Sequence, residues 1–143
     1  MQINHFLLSQ TVGRIACVNG KIPYIVPVTY IYNGKDIITQ ANEGKKLEIM
    51  RKNPNVCFEV DSMSNMANWQ SVILNGIFHE LKGKEAEKAR DYLFNHLWPL
   101  LTSSTIHPHE HAASSENIDD SNRIKPVMFR IEIKNKSGRF EKQ

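Results

Sequence analysis

The sequence predicts a mainly β protein: a six-stranded antiparallel split β-barrel with a short helix after strand 3 and a long amphipathic helix before strand 6. Three observations carry this reading. Asn-Gly dipeptides at 19–20 and 33–34 separate runs rich in β-branched and aromatic residues, a strong short-range hairpin signal. Residues 56–61 and 129–134 alternate apolar and polar side chains with the period of a strand. Residues 85–101 carry Ala86, Ala89, Leu93, Leu97 and Leu100 at the spacing of a helix with one apolar face.

Taken in order, a lead containing Phe6, Leu7 and Leu8 reads as the end of a helix, and residues 14–18 as the first strand. Residues 22–32 return from the first Asn-Gly turn, and residues 36–40 leave the second, which makes a three-stranded meander. Pro27 lies inside the middle strand and has no N–H to donate, so that strand is expected to be irregular there or to face something other than a neighbouring strand. Residues 44–52 form a short helix with Leu47 and Met50 three apart, ended by Asn53-Pro54 because the residue before proline avoids the α region. Residues 56–61 and 69–80 supply strands four and five. The helix over 85–101 leaves Lys88, Arg90 and Asp91 to solvent and has Pro99 in its last turn. Residues 102–123 are a polar loop rich in Ser, His, Asp and Asn, and Phe129, Ile131 and Ile133 mark the sixth strand. Six strands are too few for a sandwich, whereas closure into a barrel removes the exposed edges.

The 143 residues fit one domain over 1–143, and 41% hydrophobic with 23% charged residues is the composition of a chain that buries a core. A net charge of +3 falls short of a nucleic-acid-binding arm, and no run approaches the length of a membrane helix. Cys17 and Cys57 each lie in an apolar run without a metal-binding pattern, so both are expected to be reduced core thiols in a cytoplasmic protein.

The sharpest local signal is Glu43-Gly44-Lys45-Lys46 at the start of the short helix. Two lysines there oppose the positive end of the helix dipole, a cost that a bound anion reverses. Exposed helix N–H groups, two ammonium groups and a glycine open to close approach together suit a phosphate. By itself the pattern also reads as a solvated basic turn with Glu43 in partial compensation. His107, His109 and His111 alternate in the polar loop, a spacing that in an extended segment could hold a metal or haem iron but equally suits a plain polar loop.

Several segments combine around that turn: Val12-Gly13-Arg14-Ile15-Ala16, the run YIVPVTY over residues 24–30, Gly44-Lys45-Lys46-Leu47-Glu48 with Asn53-Pro54, and Trp69-Gln70-Ser71-Val72 with Gly76. In this combination the chain resembles the pyridoxamine 5'-phosphate oxidase-like superfamily of FMN-binding split barrels, nearest its nitroimidazole-resistance (Nim) branch. The resemblance implies a homodimer with FMN at the interface, and flavin contacts from Pro27, Val28, Thr29, Tyr30, Thr39, Gln40, Lys45, Lys46 and Ser71, the two lysines taking the phosphate. For Thr29, Thr39 and Ser71 the residues alone also fit ordinary strand positions, and Trp69 is a secondary stacking candidate. Nim relatives often carry a histidine where Thr39 stands, and the C-terminal Trp and Arg signature of true pyridoxamine phosphate oxidases is not recognisable over 134–143. The implied function is an FMN-dependent oxidoreductase acting on a small molecule, nitro compounds among the candidates, with a diffusible electron donor. The alternative is a flavin- or haem-binding protein without turnover on the same barrel.

Overall fold

The computed structural model describes residues 2–102 and 126–142. Its elements are α1 (Gln2–Ser9), β1 (Val12–Asn19), β2 (Ile22–Tyr32), β3 (Asp36–Ala41), α2 (Lys45–Lys52), β4 (Asn55–Asn65), β5 (Asn68–Glu80), α3 (Gly83–Thr102) and β6 (Val127–Glu141). The strands close into a barrel in the order β1-β2-β3-β6-β5-β4, every pairing antiparallel. The predicted elements are all present, with α1 complete and β4 and β6 longer than their periodicity indicated. Most of the polar loop, including His107, His109 and His111, lies outside the described residues.

Turn chemistry sets the two early hairpins. Gly20 takes a φ of 66° and Gly34 one of 92°, values that side-chain-bearing residues rarely adopt. The first turn is Gly20-Lys21, one residue later than the Asn-Gly signal suggests, because Asn19 still pairs with Ile22. At the second, the Asn33 side-chain oxygen accepts the backbone N–H of Lys35 at 2.9 Å and of Asp36 at 2.7 Å, so the loop carries its own hydrogen bonds into β3.

The barrel interior holds Ile15, Tyr30, Ile37, Phe58, Leu74, Phe129 and Ile131, all fully buried. Tyr30 and Phe58 meet edge to face at 5.1 Å, and the Tyr30 hydroxyl donates to the carbonyl of Leu7 at 2.7 Å, which pins α1 over one end of the barrel. Leu47, Ile49 and Met50 of α2 join the same core. The face of α3 formed by Ala86, Ala89, Leu93 and Leu97 packs separately, on Ile31, Ile38 and Met128 outside the barrel wall. Arg90 differs from the solvent position its spacing indicated: it is half-buried and donates to the carbonyl of Pro126 at 3.0 Å.

β5 and β6 run together along most of their length and slip register once, at Asn75/Gly76, where Asn135 and then Ile133 stand opposite and Lys134 bulges out. Gly76 permits this. A Cβ there would lie 2.5 Å from the carbonyl oxygen of Glu132 and 2.6 Å from a methyl of Ile131. Gly76→Ala should therefore destabilise the fold by about 2–3 kcal/mol through overpacking. Chemical denaturation of the two proteins checks this, and an unchanged midpoint would refute the close packing.

Candidate functional site

β2 has unequal neighbours. It pairs with β1 from Ile22 to Thr29 but with β3 only from Tyr30 to Tyr32, so the barrel wall opens between β2 and β3. The hydrogen-bonding parity of β2 follows from two bonds. The backbone N–H of Tyr30 donates to the carbonyl of Thr11 at 2.9 Å, on the β1 side. The carbonyl of Thr29 accepts the hydroxyl of Thr39 at 2.6 Å, on the β3 side. Because alternate residues of a strand direct their backbone groups to opposite sides, even-numbered residues of β2 serve β1 and odd-numbered residues face the opening.

Pro23 and Pro27 are both odd-numbered. The ladder to β1 runs through Pro27, opposite Arg14, without a register shift, and the missing N–H falls on the open edge. The edge alternative for Pro27 is thus the one realised. Along it the N–H of Ile25 and the carbonyls of Ile25 and Pro27 have no strand partner, a mixed donor and acceptor row. Prolines on such an edge also hinder pairing with a foreign strand.

α2 lies beside the hairpin end of this opening. Gly44 is its N-cap and supplies no side-chain hydrogen bond, which leaves the first-turn N–H groups uncapped. The Lys45 ammonium stands 5.3 Å from the centre of the Tyr24 ring. Lys46 is half-buried, and desolvation lowers its pKa from the ordinary lysine value, opposed by the neighbouring Cys17 thiol. Burial pushes the Cys17 thiol up in turn. Among the described residues, no carboxylate forms an ion pair with either lysine.

The other candidate residues divide by face. Pro27 and Thr29 are exposed on the outer face of β2, and Gln40 is exposed on β3. Val28 and Tyr30 point their side chains into the core and, as even-numbered residues, turn their backbone groups to β1, so neither presents a hydrogen-bonding group to the opening. Thr39 is fully buried, and its hydroxyl is committed to the carbonyl of Thr29. Its part is to pin β3 to β2 where the two strands begin to separate.

Ser71 is not brought to the lysines within one chain. It stands on β5, three strand spacings from β2 around the barrel, on the order of 14 Å. Its surroundings are a charged cluster on the outer face: Arg14 meets Glu59 at 3.2 Å and Asp61 at 3.3 Å, and the Ser71 hydroxyl reaches Glu59 at 3.5 Å. Trp69, near the start of β5, donates its indole N–H to Glu141 at 3.0 Å, which leaves its ring half-buried. Cys57 differs from the expected core thiol: it is half-buried, on a face of β4 shared with Glu59, while Cys17 is in the core. The reason is parity, since Val56, Phe58 and Val60 take the inward positions of β4.

Desolvation, followed by the hydrogen bond and charge of Asp61, raises the Glu59 pKa above the ordinary 4.5, against the lowering effect of Arg14. Between 4.5 and its raised folded value Glu59 binds protons more in the folded chain than in the unfolded one, so this group's contribution to stability declines as pH rises through that interval. Glu59→Gln removes that titration. Relative to the wild type, the variant should gain stability as pH is raised from 4.5 towards neutrality, as read from denaturant midpoints across that range. A constant difference would show that Glu59 titrates normally.

The chain matches the pyridoxamine 5'-phosphate oxidase family over residues 2–139. A FAD-binding protein from Mesorhizobium loti has a similar structure, with TM-score 0.76 and 29% identity, over 99% of this chain and 93% of that one. A FAD and heme binding protein from Mycobacterium smegmatis superposes with TM-score 0.73 at 15% identity, over 99% of this chain and 71% of that one. A candidate 5-nitroimidazole antibiotic resistance protein from Bacteroides thetaiotaomicron gives TM-score 0.67 at 15% identity, over 96% and 81%. In sequence, an uncharacterized protein of Rhizobium meliloti is 33% identical over 89 residues, 62% of this chain, and the match spans only 57% of that relative's length. Among the described residues no helix is long and apolar enough to cross a membrane, and no group of three metal-ligating side chains converges.

Proposed function

The chain belongs to the pyridoxamine 5'-phosphate oxidase family, and on that premise we propose that it is a flavoprotein that binds FMN at the β2–β3 opening of a homodimer and transfers electrons between small molecules. One observation carries the reading: an open strand edge with unpaired backbone donors and acceptors ends beside two lysines that have no carboxylate partner among the described residues. The fit is chemical. The pyrimidine edge of an isoalloxazine offers one N–H between two carbonyls; the Ile25 carbonyl suits that N–H and the Ile25 N–H suits one of the carbonyls, while Pro27 has no donor for the other, and the phosphate suits the uncapped turn at Gly44. Solved relatives that bind FAD support a flavin in general. A single phosphate matched to a single pair of lysines favours FMN.

In this reading Lys45 and Lys46 hold the phosphate by charge-assisted hydrogen bonds, with the half-buried Lys46 gaining a counter-charge for its desolvated ammonium. The backbone of Pro27 and Thr29 orients the ring, and Thr39 keeps the opening at its width. A bound flavin would supply two-electron chemistry between a diffusible reduced donor and a small acceptor, with nitroaromatics as the acceptor class to try first; the protein supplies binding and orientation. Thr39, with its hydroxyl committed and buried, offers that chemistry no proton.

The homodimer accounts for two further features. Val12, Ile25 and Ile73 are 47%, 63% and 45% exposed, and together with the partly exposed Ala16 and Cys57 they surround the Arg14–Glu59 ion pair on the outer face of β1, β2, β4 and β5. Monomers seldom leave such a patch uncovered. A second copy on that face also gives Ser71, remote from the lysines of its own chain, a route to the partner's flavin.

Two measurements test this reading. The visible spectrum of the purified protein, with or without added FMN, should show a bound oxidised flavin, and Lys45→Ala/Lys46→Ala should weaken FMN binding at least about a hundredfold, since each charge-assisted phosphate contact contributes roughly 1.5–3 kcal/mol. No flavin uptake would refute the site, whereas a bound flavin that no nicotinamide reduces would mark a flavin store without turnover. Ile25→Asp should turn a dimer into a monomer by light scattering; a wild-type monomer, or a variant that remains dimeric, would remove this face as the interface.

A further inference from the structure

In the sequence, Glu43 is the natural counter-charge for the lysines that follow Gly44. Its carboxylate is engaged elsewhere. Arg51, in the last turn of α2, grips it with both arms of its guanidinium, Nη2 to Oε1 at 2.7 Å and Nη1 to Oε2 at 2.9 Å. The same guanidinium holds Glu80 at the end of β5, Nε to Oε1 at 2.7 Å and Nη2 to Oε2 at 3.2 Å. Only a planar fork presents enough donors in one plane to hold two carboxylates in this way.

The Glu80 side of the anchor is built into the barrel. Glu80 closes the longest ladder of the barrel, and the N–H of Phe78 donates to the carbonyl of Pro54 at 2.8 Å, which ties the exit of α2 to β5. Hydrogen bonding to Arg51 holds the Glu43 carboxyl below its ordinary pKa, which favours its ionised form. Glu48, the acidic residue in the first turn of α2, makes no ion pair with either lysine.

We propose that Arg51 is a positioning residue for the anion site: by drawing Glu43 onto Glu80's side of the helix it keeps Lys45 and Lys46 free for a phosphate. This rests on the flavin reading above. Without Arg51, the Glu43 carboxylate two residues from Lys45 is released to neutralise the lysines and to repel the phosphate. Glu43 is well exposed, and at about 3–4 Å in a dielectric close to that of bulk water one such charge weakens anion binding on the order of tenfold.

The test is a double-mutant cycle read as FMN affinity, repeated with inorganic phosphate as competitor. Arg51→Met should lose affinity by about tenfold, Glu43→Gln should stay close to the wild type because its charge is already withdrawn, and the double variant should recover most of the loss. The recovery is the decisive reading, because a merely structural role for Arg51 would not be rescued by removing Glu43. An unchanged Arg51→Met, or a loss that persists in the double variant, overturns the proposal. Should Arg51→Met not fold, Arg51→Lys keeps the cation but gives up the fork, and the same cycle with Glu43→Gln decides by whether the two changes couple. The lysine double variant separates the two ideas: if its affinity is normal the flavin site itself is refuted, and if only the lysines matter, Arg51 alone loses its role.

Discussion

The change of partner along β2 is the constraint on which the rest of this structure depends. One strand serves β1 over its first eight residues and β3 over its last three, and no regular barrel can keep both neighbours parallel to it throughout. The wall must open on the β3 side. What makes the opening stable is that its edge is poor in donors: Pro23 and Pro27 occupy two of the positions whose N–H would otherwise point into it. The bond from Thr39 to Thr29 then sets where the separation begins.

The helices answer to the same opening. α1 seals one end through Phe6, Leu7 and the Tyr30 hydroxyl, and α2 carries Leu47, Ile49 and Met50 into the other end of the core. With its apolar face so fixed, α2 has no freedom to choose where its N-terminus lies, and Lys45 and Lys46 are delivered beside Tyr24 and Cys17. Packing therefore positions the charges. Partial burial of Lys46 costs solvation that no carboxylate among the described residues offsets, which is the condition under which an anionic ligand gains most.

Charge is distributed so that each end of α2 has a separate duty. The basic last turn, favourable at the negative end of the helix dipole, holds acidic groups through Arg51, while the basic first turn, unfavourable at the positive end, is left open. On the outer face of β1, β2, β4 and β5 the Arg14, Glu59 and Asp61 cluster sits among exposed apolar side chains. Proteins of known structure share the fold over nearly the whole chain, and a shared barrel fixes a scaffold rather than a ligand.

Much of this could be read from the amino acids. Turn residues, period-two alternation and the apolar stripe of α3 identified every strand and both later helices, because each rests on short-range sterics and on the side-chain direction that a backbone conformation imposes. The length of β6 was not legible, since residues 134–141 are exposed and, Phe140 apart, carry no apolar side chain, so that they owe their extension to pairing with β5 rather than to their own pattern. The lysine pair and the anomaly at Pro27 were visible as isolated facts. The amino acids alone determined which residues turn, extend or coil, and that two cations open α2. Only the tertiary structure decided that Pro27 spends its missing donor on the open edge, that Thr39 is buried, that Ser71 stands three strands away, and that Glu43 belongs to Arg51. Each of these depends on which segments become neighbours and in what register, and such pairings between distant parts of the chain leave no mark on local sequence pattern.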